Sequence, residues 1–370
     1  MRRVVVTGVG VVSSIGSNAA EVTEALKEGR SGITFAEDFA ELGFRCQVKA
    51  RPTLDYEAVL DRRTRRFMGE GAGWNYIAMQ EAIADAGLAE DEISHPMTGI
   101  IMGSGGPSTR AIVEAADKTR ESKSTKKIGP TQVPKAMSST NSATLAVAYK
   151  ILGINYSISS ACATSVHCIG AAAEQIMMGK QDVMFAGGGE ELDWTMANLF
   201  DAMGAMSTSY NDRPQVASRA YDRDRDGFVI AGGAATVVLE EYERAKARGA
   251  TIYGEIVGYF ANSDGFDMVQ LSGEGAVRCM RGALETTRVP VDYVNTHGTS
   301  TPVGDSKETA SLREVFGRTI PPFSSTKSLT GHSLGAVGAQ ETVYGLLMMK
   351  HRFITASAHI ENLDPEFEGL

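Results

Sequence analysis

The 370 residues predict an α/β protein assembled from two similar halves. Three observations lead there. Short β-branched runs alternate with amphipathic helical stretches along the whole chain. Two segments, one in each half, repeat a single design. No low-complexity segment or long flexible linker lies between the halves, so they are expected to pack as one unit.

Taken in order, RRVVVTG, GIIMGSG, INYSIS, DVMFAGGG, AATVVLEE, GEIVGYF and VDYVNTHG are short apolar or β-branched runs, the pattern of strands. Between them NYIAMQEAIADAG and GAVRCMRGALETT carry apolar residues at helical spacing. The repeated design is INYSISSACATSVHCIGAAAEQIMMG and PPFSSTKSLTGHSLGAVGAQETVYGLLMM. Each holds a strand pattern, a polar turn, a residue of reactive type (Cys162 or His332) and a helix that opens with small side chains. An internal duplication accounts for this, with a half at 1–250 and a half at 251–370.

Composition narrows the function. Hydrophobic residues at 43% and charged residues at 22% describe an ordinary globular protein. No apolar run approaches the roughly 20 residues that span a bilayer, and MRRVVVTGVG lacks a secretory leader pattern, so no membrane association and a cytoplasmic location are expected. Cys46, Cys162, Cys168 and Cys279 are too few and scattered for a disulfide framework. Cys162, His167 and Cys168 crowd together without a fourth ligand, so no metal is expected. A net charge of −9 argues against nucleic acid. Two basic islands stand out against that mean, RRTRR at Arg62 to Arg66 and the stretch from Lys118 to Lys127; they read either as solvated faces or as a dock for an acidic partner.

Three motifs point the wrong way. Gly331 to Gly335, GHSLG, fits the G-x-S-x-G nucleophile elbow. The preceding IPPFSSTKSL is a poor buried strand, and the acid-then-histidine order of an α/β-hydrolase cannot be assembled, because no histidine follows Asp364. GVGVVSS places Ser13 where a dinucleotide loop needs its third glycine. DRDRDGF starts like an EF-hand but has Gly233 at the twelfth position, so its alternating Asp and Arg residues are read as a polar loop that orders the turn into the next strand.

The chemistry gathers elsewhere. Cys162, in SSACATS, follows a strand and precedes a helix of small residues, where helix dipole and free N–H groups favour a thiolate. It is a candidate for covalent acyl catalysis. His297 in NTHGTSTPVGD and His332 in TKSLTGHSLGA each sit on a Gly- and Thr-rich turn after a strand, where a side chain can project into a cleft.

SSACATSVHCIG, VDYVNTHGTSTPVGD and STKSLTGHSLGAVGAQE resemble the three active-site segments of the β-ketoacyl-acyl carrier protein synthases, and GKQDVMFAGGGEEL points to their type I branch. The resemblance runs from RRVVVTGVGVVSSIG to the last residues. It implies the thiolase-like five-layered αβαβα fold, a homodimer, and decarboxylative condensation of an acyl group with malonyl-acyl carrier protein in fatty acid elongation. It makes Cys162 the acylated nucleophile, His297 and His332 the pair acting in decarboxylation, Lys327 the lysine that organises the site, and Thr299 and Thr301 the holders of the phosphopantetheine arm. No cofactor is implied beyond that carrier-borne arm. Acyl carrier protein is the partner, with Arg62, Arg63, Arg66 and Lys127 as its dock. Family members continue a few dozen residues past ENLDPEFEGL into a Gly- and Phe-rich loop with an oxyanion donor; either the sequence is a piece of a longer chain that carries this loop, or the form is impaired, since one such donor is worth about 10²–10³ in rate in a model protease. Rival readings are the type II branch, a relative acting on a CoA thioester, which would bring a second catalytic cysteine, and a noncatalytic carrier-binding subunit, which has no need of Cys162 with both histidines.

Overall fold

A computed structural model describes residues 1–106 and 108–370. The strands are β1 (Val4–Val12), β2 (Thr34–Phe35), β3 (Val48–Lys49), β4 (Thr98–Gly103), β5 (Asn155–Tyr156), β6 (Val183–Glu190), β7 (Gly233–Glu241), β8 (Gly254–Glu255), β9 (Val294–Asn295) and β10 (Phe323–Ser324). The helices that shape the site are α1 (Glu70–Ala86), α2 (Thr140–Tyr149), α3 (Thr164–Met177), α4 (Glu274–Leu284), α5 (Pro302–Phe316) and α6 (Val337–His351). Six strands form one sheet in the order β5-β4-β6-β7-β1-β8. Within it β4 runs parallel to β5 and β6, while β7 is antiparallel to both β6 and β1.

Both faces of this sheet are covered, which is why its strands read as nearly continuous apolar runs. Alternate residues separate the two faces. Ile101, Met184, Ala186, Val237 and Leu239 pack with α3 and α6, whereas Ile100, Met102, Val183, Phe185 and Val238 pack with α1 and α2. In β1 a bulge between Val6 and Gly8 shifts the register, so Val4 and Val6 on one side of it and Val9 and Val11 on the other all join the first face.

The glycines of GVGVVSS have a packing role. A Cβ on Gly8 would lie 2.4 Å from the Ala82 carbonyl oxygen, and one on Gly10 would lie 1.9 Å from that of Ala78, both on α1. Bare backbone is needed for the strand and helix to touch.

The second half contributes β9 and β10, which pair in parallel through Phe323 with Val294 and Ser324 with Asn295. The strand patterns INYSIS, GEIVGYF and VDYVNTHG form shorter strands than their lengths suggest, two residues each. The two segments of similar design meet in space. Each copy is strand, turn, helix, and the N-terminal ends of α3 and α6 lie side by side: Ala339 N donates to Ser165 Oγ at 2.9 Å, and Gly338 abuts Val166. The reactive turns of the two copies are thereby brought together at the carboxyl ends of parallel strands, where open α/β sheets place their ligands.

DRDRDGF ties distant segments. Arg225 donates to Asp364 at 2.8 Å and lies 3.4 Å from Asp305, and Asp226 accepts from Ser207 Oγ and from the amides of Thr208 and Ser209.

Candidate active site

Cys162 stands two residues before α3 begins, just after Ala161, whose φ of 51° is a left-handed conformation that costs a non-glycine residue free energy. From the other copy of the design, Nε2 of buried His332 reaches 3.0 Å from Cys162 Sγ. His332 is held by its backbone, with N–H donated to the Val229 carbonyl at 2.8 Å and its own carbonyl accepting from Ala231 N at 2.9 Å. His297, on the turn after β9, meets His332 edge to face with ring centres 5.2 Å apart. One donor atom from each of Cys162, His297 and His332 falls within 4.8 Å of the other two.

Carboxylates order the turns that carry these groups. The two oxygens of Glu308 on α5 accept from His297 N at 2.7 Å and Gly298 N at 2.8 Å. Lys327, fully buried, donates to Glu341 on α6 at 2.5 Å. Glu190, the last residue of β6, accepts from Ser104 Oγ, Gly105 N and Gly335 N. Thr299 and Thr301 hydroxyls meet at 2.9 Å.

Burial sets the protonation states. His297 is pushed down to about 3 by burial and then by the Lys327 ammonium. Its ring is open to the cleft, yet a much smaller fall would still leave it neutral at pH 7. His332 falls well below its ordinary value through burial, His297 and Lys327. Both imidazoles are therefore neutral, each with one N–H to donate. The thiol departs from the sequence-based expectation. Burial raises Cys162, Lys327 opposes the rise and Glu190 adds to it, so position near a helix N-terminus does not by itself produce a thiolate. Burial pushes Cys46 and Cys168 up to about 12, and neither is accessible.

Ser333 belongs to the framework. Its hydroxyl is buried and donates to Gln340 Oε1 at 2.5 Å, an amide oxygen that is not a general base. Thr301 lines a cleft of about 1130 Å³ with Met203, Asp226, Phe266, Leu271 and Lys307. Arg62, Arg63, Arg66 and Lys127 are exposed, and among the described residues none of them forms an ion pair. The structure thus brings Cys162, His297, His332 and Lys327 together, while the four basic residues lie on the surface. Sequence reasoning passed over Glu190, Glu308 and Glu341 as site residues. A glutamate closing the apolar run VMFAGGG was the available signal for the first.

The family model for the N-terminal domain of beta-ketoacyl synthases matches residues 1–245, and that for the C-terminal domain matches 253–361. The chain belongs to the beta-ketoacyl synthase family. It is 57% identical over 371 aligned residues to the 3-oxoacyl-[acyl-carrier-protein] synthase 1 of Escherichia coli K12, covering 100% of this chain and 91% of that relative. The synthase 1 of Haemophilus influenzae is 56% identical with the same coverage. Among solved structures, a beta-ketoacyl synthase from Burkholderia phymatum superposes with a TM-score of 0.93 at 39% identity, over 100% of this chain and 91% of that one. A ketosynthase in complex with a type II polyketide acyl-carrier protein superposes with a TM-score of 0.90 at 29% identity, over 99% of this chain and 90% of that one. The fold of this synthase is the thiolase-like α/β fold of that family.

Proposed function

We propose that this chain catalyses the decarboxylative Claisen condensation of an acyl group with malonyl-acyl carrier protein, the carbon–carbon bond-forming step of fatty acid elongation. The observation that carries the reading is the 3.0 Å approach of His332 Nε2 to Cys162 Sγ with His297 alongside.

As the Cys162 sulfur attacks the acyl thioester, the thiol proton passes to the departing carrier thiolate, which leaves the His332 N–H free for the next step. Carbon and sulfur are then joined at Cys162. When the malonyl thioester arrives, its carboxylate leaves as carbon dioxide and the bonding electron pair becomes an enolate. Two neutral imidazole N–H donors stabilise the charge that develops on the thioester oxygen. The carbanion attacks the acyl carbon on Cys162, a carbon–carbon bond forms, and the carbon–sulfur bond breaks to return the thiolate, which takes up a proton from water. Burial, with the Lys327 ammonium adding to it, keeps both imidazoles neutral, so each offers one N–H donor and one lone pair.

Acyl carrier protein fits the unpaired cations at Arg62, Arg63, Arg66 and Lys127, and its arm fits the cleft at Thr301, beside Thr299. No bound cofactor enters any step. A homodimer is supported by β5, an edge strand beside exposed Val147, Leu152 and Tyr156. Sedimentation as a 39.4 kDa particle would count against it. Among the described residues no helix is long and apolar enough to cross a membrane, which accords with action in the cytoplasm.

Two variants test the reading. Cys162→Ala abolishes the acyl-enzyme seen by intact mass while carbon dioxide release from malonyl-carrier protein persists. His332→Ala slows that release by about 10²–10³. Condensation by Cys162→Ala, or an acyl group mapped to Ser333, would overturn it.

A further inference from the structure

The turn that carries His332 is not in a relaxed conformation. Leu334 has φ 48°, unusual for a branched residue, and its side chain is buried. Such a turn persists only where its surroundings over-determine it. What holds it from below is Glu190, at the carboxyl end of β6 and only 2% exposed. One carboxylate oxygen, Oε2, accepts from Gly335 N at 2.9 Å and from Gly105 N at 2.6 Å. The other, Oε1, accepts from Ser104 Oγ at 2.7 Å. A Cβ on Gly335 would lie 2.1 Å from Gly105 N, so the two backbones are already in contact and admit no side chain between them. Gly105 in turn sits under the nucleophile turn, its Cβ position 3.4 Å from the Ala161 carbonyl oxygen.

Among the described residues no lysine or arginine pairs with this carboxylate. The groups around it are Ser104 and Gly105 from the loop after β4, Gly335 from the His332 turn, Gly71 from α1, and two groups that disfavour further negative charge, Glu191 and the Cys162 thiol. A buried carboxylate without a counter-ion is costly unless its lone pairs are filled, and here backbone N–H groups of two separate loops fill them.

We propose that Glu190 is a positioning residue that clamps the His332 turn to the loop beneath Cys162, and that its reach across both amides, not its charge, sets the distance between the imidazole and the sulfur. The clamp serves the condensation proposed above and is tested by a readout that does not depend on it. Burial also raises Glu190 to about 7, consistent with a site that operates whether or not the group carries a full charge.

Two substitutions separate reach from charge. Glu190→Asp keeps the charge but is one methylene short of spanning Gly105 N and Gly335 N together. Glu190→Gln keeps the length; its Oε1 accepts from both amides, and its Nε2 donates to Ser104 Oγ, whose hydroxyl then turns to the Gly106 carbonyl, 2.5 Å away. Hydrogen exchange of peptides covering Gly105 and Gly335 reads the clamp directly, and kcat and KM for condensation read its consequence. The expected result is lost protection at both glycines in Glu190→Asp, with kcat down on the order of 10–100-fold and KM unchanged. Glu190→Gln retains protection and keeps kcat within about threefold. Full activity or retained protection in Glu190→Asp overturns the proposal, as does a larger loss in Glu190→Gln than in Glu190→Asp. If the parent protein itself fails to condense, the proposed function falls, while the exchange contrast still decides whether the clamp exists.

Discussion

A histidine free in water titrates near pH 6.5, and His297 is held down to about 3 by burial and Lys327. Between those values the unfolded chain binds a proton that the folded site refuses. Stability from this site is therefore lost as pH falls through that window. His332 acts in the same direction, while Glu190 and Glu191, both raised to about 7, act in the opposite one by taking up protons on folding. The contrast between a variant and its parent isolates one residue. His297→Gln should melt progressively higher than the parent as the pH is lowered from 7 to 5, read by thermal unfolding at each pH. A constant difference across that range would show that His297 is not held neutral. The same neutrality leaves each imidazole one N–H donor and one lone pair, so this is a chemical property read through stability.

At the scale of the element, each reactive turn carries one strained residue next to its chemistry, Ala161 before Cys162 and Leu334 after His332. Strain of this kind costs about 1–3 kcal/mol and holds a side chain where relaxed backbone would not. Ala161 is exposed, so its methyl contributes little packing. Ala161→Gly removes the left-handed penalty but frees the unfolded chain by about 0.5–1 kcal/mol. The expected outcome is a gain of up to about 1 kcal/mol in urea unfolding, together with slower acylation of a less firmly placed Cys162. A clear loss of stability would mean that the turn is not strained. The polar loop from Arg219 to Asp226 adds buried charge pairing to its own positive-φ residue, Tyr221 at 71°: Arg219 lies 3.2 Å from Asp222, both buried, which ties separate segments together.

The whole molecule carries a net charge of −9 while keeping Arg62, Arg63, Arg66 and Lys127 exposed and, among the described residues, outside any ion pair. Opposite charge steers encounter and is screened by salt over about 10 Å at 0.1 M. Arg63→Glu with Arg66→Glu should raise KM for carrier-bound substrates, with the difference shrinking as salt rises. The same double variant should leave turnover of a small pantetheine thioester unchanged. Equal losses with both substrates would assign the arginines to structure.

The α/β class, the repeated strand–turn–helix design and the trio of Cys162, His297 and His332 were legible in the sequence, because apolar periodicity and reactive residues on small-residue turns are local properties. Local pattern also dismissed the G-x-S-x-G motif, and the buried bond from Ser333 to Gln340 explains why it was right to do so. The ionisation of Cys162 was not legible. A helix N-terminus is visible in the chain, whereas the burial that outweighs it exists only after residues far apart in sequence have packed. The glutamates at 190, 308 and 341 were hidden for the same reason. Each acts on a backbone amide or an ammonium from another segment, and only the tertiary structure decides which distant groups a buried carboxylate meets.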